Sequence, residues 1–192
     1  KCFFDSNRYR IIGFEQRGCG RSTPLASTKD NDTWLNVEDI EILRRQLNVS
    51  SWLVFGGSWG STLALLYAFR YAAHVSGLIL RGVFLARQQD RDWFLSPQGG
   101  AAQLFPEYYR QFVKGIDGSL STAAICTHYL NTLKADNEVQ RHAALKRWYQ
   151  WEERLSRVSL PPGTGDSTRQ YPLALVTSLA TLECHFLTNK CF

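Results

Sequence analysis

The chain has 192 residues, 44% of them apolar and 13% aromatic, with a formal net charge of +5, a composition that can bury a sizeable core and that excludes intrinsic disorder. Its Lys and Arg residues stand singly or in pairs (Arg44-Arg45, Lys146-Arg147) and never build a basic block, so no nucleic-acid partner is expected. No run approaches roughly 18 uncharged apolar residues, so no membrane span is expected, and Lys1-Cys2-Phe3-Phe4-Asp5 lacks the apolar stretch of a signal peptide.

Five cysteines (Cys2, Cys19, Cys126, Cys184, Cys191) are odd in number, widely spaced and without a C-x-x-C pair. That pattern suits neither a disulfide framework nor a zinc site, and it favours a reducing compartment such as the cytoplasm. Met is absent even at position 1, so the chain reads as an internal piece of something longer or as a processed product.

In chain order, Tyr9-Arg10-Ile11-Ile12-Gly13-Phe14 reads as a short buried strand running into a loop dense in turn formers, residues 15–24. Gly18-x-Gly20 in that loop lacks the third glycine and the Lys-Ser/Thr of a phosphate loop, which leaves a structured surface loop as the better reading. Asn31-Asp32-Thr33 supplies N-cap candidates, and Trp34, Val37, Ile40, Leu43 and Leu47 follow at helical spacing, with Glu38, Asp39, Glu41, Arg44 and Arg45 on the other faces. An amphipathic helix is predicted there. A strand over residues 52–55 leads into Gly56-Gly57-Ser58-Trp59-Gly60, then a helix over 62–71, apolar nearly all round, and a third strand over 75–84. Near-continuous apolar strands alternating with helices predict a parallel sheet joined by crossovers.

After Phe84 the strand-like runs thin out, and residues 87–190 read as a mainly helical cap with loops at 96–100 and 160–166. Helices are expected at 143–155 and 173–186, although Leu173-Ala174-Leu175-Val176 and its continuation to Leu182 also fit a buried strand. The predicted organisation is a partial core over 1–86 and a cap over 87–192. No internal repeat or low-complexity segment is present.

The pentapeptide Gly56 to Gly60 is a G-x-S-x-G motif between a strand and a helix, the context of a nucleophile elbow. There the serine sits on a turn too tight for side chains two residues either side, and glycines at 56 and 60 would relieve the collision. A nucleophilic Ser58 needs a base and a group to orient that base. His74, at a helix-to-strand joint, and His128 and His142, within cap helices, fit surface or capping roles. Glu183 and His185 follow Ser58 in the right order, but two residues apart they cannot readily come from two separate loops.

Four stretches together resemble the prolyl aminopeptidases (proline iminopeptidases): Glu15-Gln16-Arg17-Gly18-Cys19-Gly20-Arg21-Ser22-Thr23-Pro24; Asn31-Asp32-Thr33-Trp34; Val54-Phe55-Gly56-Gly57-Ser58-Trp59-Gly60-Ser61-Thr62-Leu63-Ala64; and Leu80-Arg81-Gly82-Val83-Phe84. The likeness continues through Asp92-Trp93-Phe94, Leu104-Phe105-Pro106, Trp148-Tyr149-Gln150-Trp151-Glu152 and Leu182-Glu183-Cys184-His185-Phe186. The resemblance implies an α/β class fold, an α/β-hydrolase core of parallel sheet with flanking helices plus a helical cap, and a cofactor-free serine exopeptidase acting on peptides with N-terminal proline. It implies Ser58 as nucleophile, the Trp59 backbone N–H as an oxyanion donor, Glu152 and Glu183 as ligands of the substrate's amino group, and Phe84 and Phe94 as walls of a proline-ring pocket. His185 would then be a cap residue.

By the same resemblance the second oxyanion donor would lie before Lys1 and the triad Asp and His beyond Phe192. A fragment lacking both ends and inactive by itself is therefore expected. Glu15 stands where the family usually has Asp, and residues 160–170 read only as a variable loop. Two alternatives remain at this level: a non-catalytic module that binds peptide N-termini, or a hydrolase of the same fold acting on another ester, epoxide or amide. Oligomeric state is not legible.

Overall fold

In the computed structural model, residues 4–157 and 172–192 are described; Cys2 and the predicted loop at 160–170 lie outside them. The first helix, α1 (Thr33–Gln46), begins where the capping residues predict: the Asp32 carboxylate accepts from Leu35 N at 2.8 Å. Strand β1 (Trp52–Gly57) follows, then α2 (Trp59–Arg70) and strand β2 (Val75–Arg81), with a single 3-10 turn between the last two. The two strands pair in parallel, with Leu53 opposite Gly77 and Phe55 opposite Ile79. Strand β2 is three residues shorter than predicted, because the chain turns at Gly82 on a positive φ of 54°.

One face of this ribbon is covered. Trp52, Val54 and Val75 pack on a buried cluster of Val37 and Ile40 from α1 with Leu63 and Tyr67 from α2, so period 2 in the strand meets period 3.6 in the helices. The opposite face is not: Leu53, Phe55 and Ile79 are about 40% exposed, and Phe4 touches Phe55 edge-on at 5.7 Å.

Two expectations about this half are overturned. Residues 9–14 form no strand, and Tyr9, Ile11 and Phe14 are each more than 40% exposed. A strand is defined by a ladder to a neighbour, and residues 9–16 are separated from β1 by a cleft of about 820 Å³ floored by α1 and α2; among the described residues β1 pairs only with β2. The apolar pattern of 9–14 is that of a strand, and the partner is what is missing. Second, Glu41 and Arg44 do not face solvent. Glu41 is 2% exposed and its carboxylate accepts from Arg44 Nε and Nη2 at 2.9 and 2.8 Å, Arg45 Nε at 2.7 Å and Tyr67 Oη at 3.0 Å. The network fastens α1 to α2, and it holds the Glu41 carboxyl down at about 2 through Arg44 first, then Arg45 and Tyr67.

The second half is helical: α3 (Gln88–Leu95), α4 (Gly100–Leu104), α5 (Pro106–Phe112), α6 (Thr122–Lys134), α7 (Glu138–Ser156) and α8 (Leu173–Thr188). The segment that also fitted a strand is helix α8, and the loop expected at 96–100 gives way to α4 at Gly100. The core of this half is aromatic. Phe112 lies flat between Tyr129 and Trp151, at 5.2 and 5.3 Å with planes 17° apart, and Trp148 meets Phe112 and Tyr129 edge-on. Tyr109 and Tyr129 keep their hydroxyls satisfied by donating to the Leu95 and Phe112 carbonyls.

Helix α8 joins the halves. The Thr33 hydroxyl donates to the Cys191 carbonyl, His185 Nε2 lies 2.8 Å from the Asn31 carbonyl, and Phe186 packs on Trp59 with centroids 4.8 Å apart. Among the described residues no helix is long and apolar enough to cross a membrane.

Candidate active site

A sharp turn lies at the C-terminal end of β1, between that strand and α2. Ser58 holds φ 52° and ψ −121°, a conformation that costs a non-glycine residue about 1–3 kcal/mol and persists only where its surroundings impose it. They do so through hydrogen bonds. Ser58 N donates to the Arg81 carbonyl at 3.0 Å, which ties the turn to the end of β2, and Ser61 returns both its N–H and its hydroxyl to the Ser58 carbonyl at 2.8 and 2.6 Å. Ser58 stands at the N-cap of α2 without making a side-chain cap bond, and it is exposed. Its Oγ is thus not committed to capping, and the N–H groups of the first turn of α2 lie beside it.

The two motif glycines differ in kind. A Cβ on Gly56 would lie 2.1 Å from the Gly60 carbonyl oxygen, so only glycine fits. A Cβ on Gly60 would meet nothing within 4 Å. The expectation that both glycines relieve side-chain collisions is corrected accordingly: the crowding is between the Gly60 backbone and position 56.

Ser61 and Thr62 also anchor the chain beyond β2. Phe84 N donates to Ser61 Oγ at 3.0 Å and Thr62 Oγ1 donates to the Phe84 carbonyl at 2.7 Å. That pins Phe84 beside the elbow, and Phe84, Phe94 and Trp59, all half-buried, pack on the aromatic cluster of the helical half. Trp59 is held from the other side as well, its indole N–H donating to Gln16 Oε1 at 3.1 Å. Sequence reasoning missed Gln16, Ser61 and Thr62 as individual contributors; the hydroxyl pair directly after the elbow was the available signal for the last two.

Glu152 on α7 and Glu183 on α8 lie near each other, and Phe186, three residues after Glu183, packs on Trp59 of the elbow with centroids 4.8 Å apart. Both side chains are half-buried. Burial pushes both carboxyls above the usual carboxylate range, and for Glu183 the negative charge of Glu152 pushes further in the same direction. The Trp148 indole N–H donates to Glu183 Oε2 at 2.6 Å. Among the described residues neither carboxylate forms an ion pair with Lys, Arg or His, whereas nine other ion pairs are made. The loop at 15–20 closes the near side: a Cβ on Gly18 would touch Leu182 at 3.2 Å, and the Glu183 charge raises the already desolvated Cys19 thiol.

No histidine serves Ser58 here. His74 lies before β2, at the opposite end of the strands, with Nδ1 3.1 Å from the Ser50 carbonyl. His128 lies against Tyr129 in the cap, where burial lowers its imidazole first, with Arg147 adding to the shift. His142 is exposed ten residues before Glu152 on α7, about 15 Å along the helix. His185 has Nε2 on the Asn31 carbonyl and Nδ1 near Asn189.

A parallel sheet, a serine on a strained strand-to-helix turn and a helical half laid against it define a class of protein, and the match to a family model agrees: residues 2–173 match the alpha/beta hydrolase fold. The chain belongs to that family. Among curated proteins it is 40% identical over 190 residues to the proline iminopeptidase of Arabidopsis thaliana, covering 99% of this chain and 49% of that protein. It is 42% identical to the proline iminopeptidases of Neisseria gonorrhoeae (97% of this chain, 58% of the relative) and Xanthomonas citri (99% and 59%). The chain thus spans about half to three-fifths of the length of these relatives.

Proposed function

We propose that the protein carrying this chain is a serine aminopeptidase that releases N-terminal proline from peptides, with residues 1–86 contributing to the hydrolase core and 87–192 forming its cap. The observation that carries the reading is the Glu152–Glu183 couple, which forms no ion pair among the described residues and sits on α7 and on α8, the helix that meets Trp59 of the elbow through Phe186. Two desolvated carboxylates without a cation are costly, and an N-terminal proline presents a cationic secondary amine with two N–H donors, which matches them in charge and hydrogen bonding. A chain-internal proline has neither. The same couple therefore anchors the substrate and restricts cleavage to the first residue.

In this reading Phe84 and Phe94 hold the proline ring, Ser58 Oγ attacks its carbonyl carbon, and the Trp59 N–H receives the developing oxyanion at the N-terminus of α2. Collapse of the tetrahedral adduct breaks the C–N bond, expels the shortened peptide as an amine and leaves a prolyl ester on Ser58; water then attacks that ester, releasing proline and restoring the serine. The proton from Ser58 must go to a base, and none of the 4 histidines of the sequence is positioned to take it. We expect the 192 residues alone to be inactive, with the hydroxyl left near its ordinary pKa.

The lack of a base is also what favours the second reading, a module that binds peptide N-termini without cleaving them. A fluorogenic proline amide separates the two. Turnover by the protein expressed from the complete reading frame, abolished by Ser58→Ala, is the expected result; binding without turnover would establish the module and refute the enzyme.

A further inference from the structure

Helix α7 carries two fully buried indoles in one aromatic cluster, and they are not equivalent. Trp151 stacks on Phe112, and its indole N–H finds no acceptor among the described residues. Trp148 touches the same Phe112, yet its N–H donates to Glu183 Oε2 at 2.6 Å. Packing alone is therefore satisfied by an indole with no acceptor, and the bond at Trp148 needs another explanation.

Trp148 and Glu152 are four residues apart on α7, hence one above the other on the same face. That face meets α8 at Glu183. The indole cannot swing away, because Tyr129 lies edge-on to it at 4.9 Å and is itself fixed by its hydroxyl bond to the Phe112 carbonyl at 2.6 Å. A carboxylate on a flexible stem can rotate about its last bonds; a rigid donor on one oxygen removes that freedom and leaves the second oxygen for whatever enters between the two glutamates.

We propose that Trp148 is a positioning residue for amine recognition, acting through Glu183: it fixes the carboxylate and supports its ionised form so that the free oxygen faces a cationic amine. This rests on the reading of the couple as the amine site. Among the described residues, the titratable groups acting on Glu183 are Glu152 from α7, Cys126 from α6 and Cys19 from the 15–20 loop, with Cys184 next to it on α8. All are neutral or anionic, so the indole dipole is the one influence among them that favours the charged carboxylate.

The test is Trp148→Phe in the protein expressed from the complete reading frame, which keeps an aromatic ring against Phe112 and Tyr129. A hydrogen bond to a charged group is worth about 1.5–3 kcal/mol, or about 10- to 150-fold. The expected result is KM for a proline amide raised at least about tenfold with kcat within about twofold, and the acidic limb of the 1/KM profile displaced to higher pH. In a Glu183→Gln background the same substitution should change KM less than about twofold, because its target is gone. An unchanged KM, or an equal loss in both backgrounds, overturns the proposal.

A second measurement is independent of turnover. The Trp148 indole N–H resonance in a 15N-tryptophan spectrum should titrate with the carboxylate in the wild-type protein and cease to titrate in Glu183→Gln. A titrating resonance in a protein inactive on proline amides would refute the aminopeptidase reading and keep the indole–carboxylate link; a resonance indifferent to pH in an active protein would refute the positioning role and keep the activity. If Trp148→Phe does not fold, this resonance decides alone.

Discussion

Glu41 and Glu183 are the same residue type, each on a helix and each desolvated, and their surroundings are opposite. Glu41, in the α1–α2 seam, accepts from two guanidinium groups and a tyrosine hydroxyl, and its carboxyl is held at about 2. Glu183, where α7 packs on α8, has an indole donor and a second carboxylate beside it, and its carboxyl is pushed well up. The first is a closed structural network whose charges cancel internally. The second has no cationic partner among the described residues, and a site of that kind is where a ligand gains most by binding.

The contrast predicts a double dissociation. Glu183→Gln should raise KM for a proline amide by about 100-fold, by analogy with breaking a charge-assisted contact, while leaving thermal stability unchanged or improved, since a like-charge repulsion is relieved. Glu41→Gln should do the reverse, lowering stability by about 3 kcal/mol because Arg44 is left buried without its partner, with KM unchanged. Steady-state kinetics and urea unfolding on the two variants measure both halves.

At the elbow the two glycines divide in the same manner. Gly56→Ala drives a Cβ into the Gly60 carbonyl and should abolish soluble, folded protein or cost more than about 4 kcal/mol. Gly60→Ala should cost no more than about 1 kcal/mol, since nothing opposes its Cβ.

The pH dependence separates the carboxylates by sign. Glu41 has a depressed value, so its contribution to stability is complete above the ordinary carboxylate value of 4.5 and is lost as pH falls through about 2. For Glu152 and Glu183, whose values are raised, the contribution is complete below 4.5 and is lost as pH rises through the raised values. The stability advantage of Glu183→Gln over wild type should therefore grow with pH, whereas the deficit of Glu41→Gln should shrink in acid. Denaturant midpoints between pH 2 and 8 follow both trends.

What the sequence could disclose follows the range of the interaction. Helices α1 and α2, β1 and the elbow were readable because their determinants are local: the Asp32 cap, the apolar spacing from Val37 to Ile40, and a serine between glycines after an apolar run. Residues 9–14 misled because their pattern is right for a strand and the ladder that makes one is non-local. Glu41 and Glu183 look alike in the sequence. Glu183 became a candidate amine ligand only through family resemblance, since what sets it apart is the lack of a cationic partner among the described residues, and Trp148 stayed hidden because its acceptor lies 35 residues away on another helix.

The central claim is that the Glu152–Glu183 couple recognises a cationic amine, and the most direct measurement compares two substrates on the unaltered protein from the complete reading frame. Proline amide and N-acetylproline amide share the ring and the scissile bond and differ in the charge on nitrogen. The account predicts that acetylation lowers kcat/KM by at least about 100-fold. Equal turnover of the two substrates would contradict it.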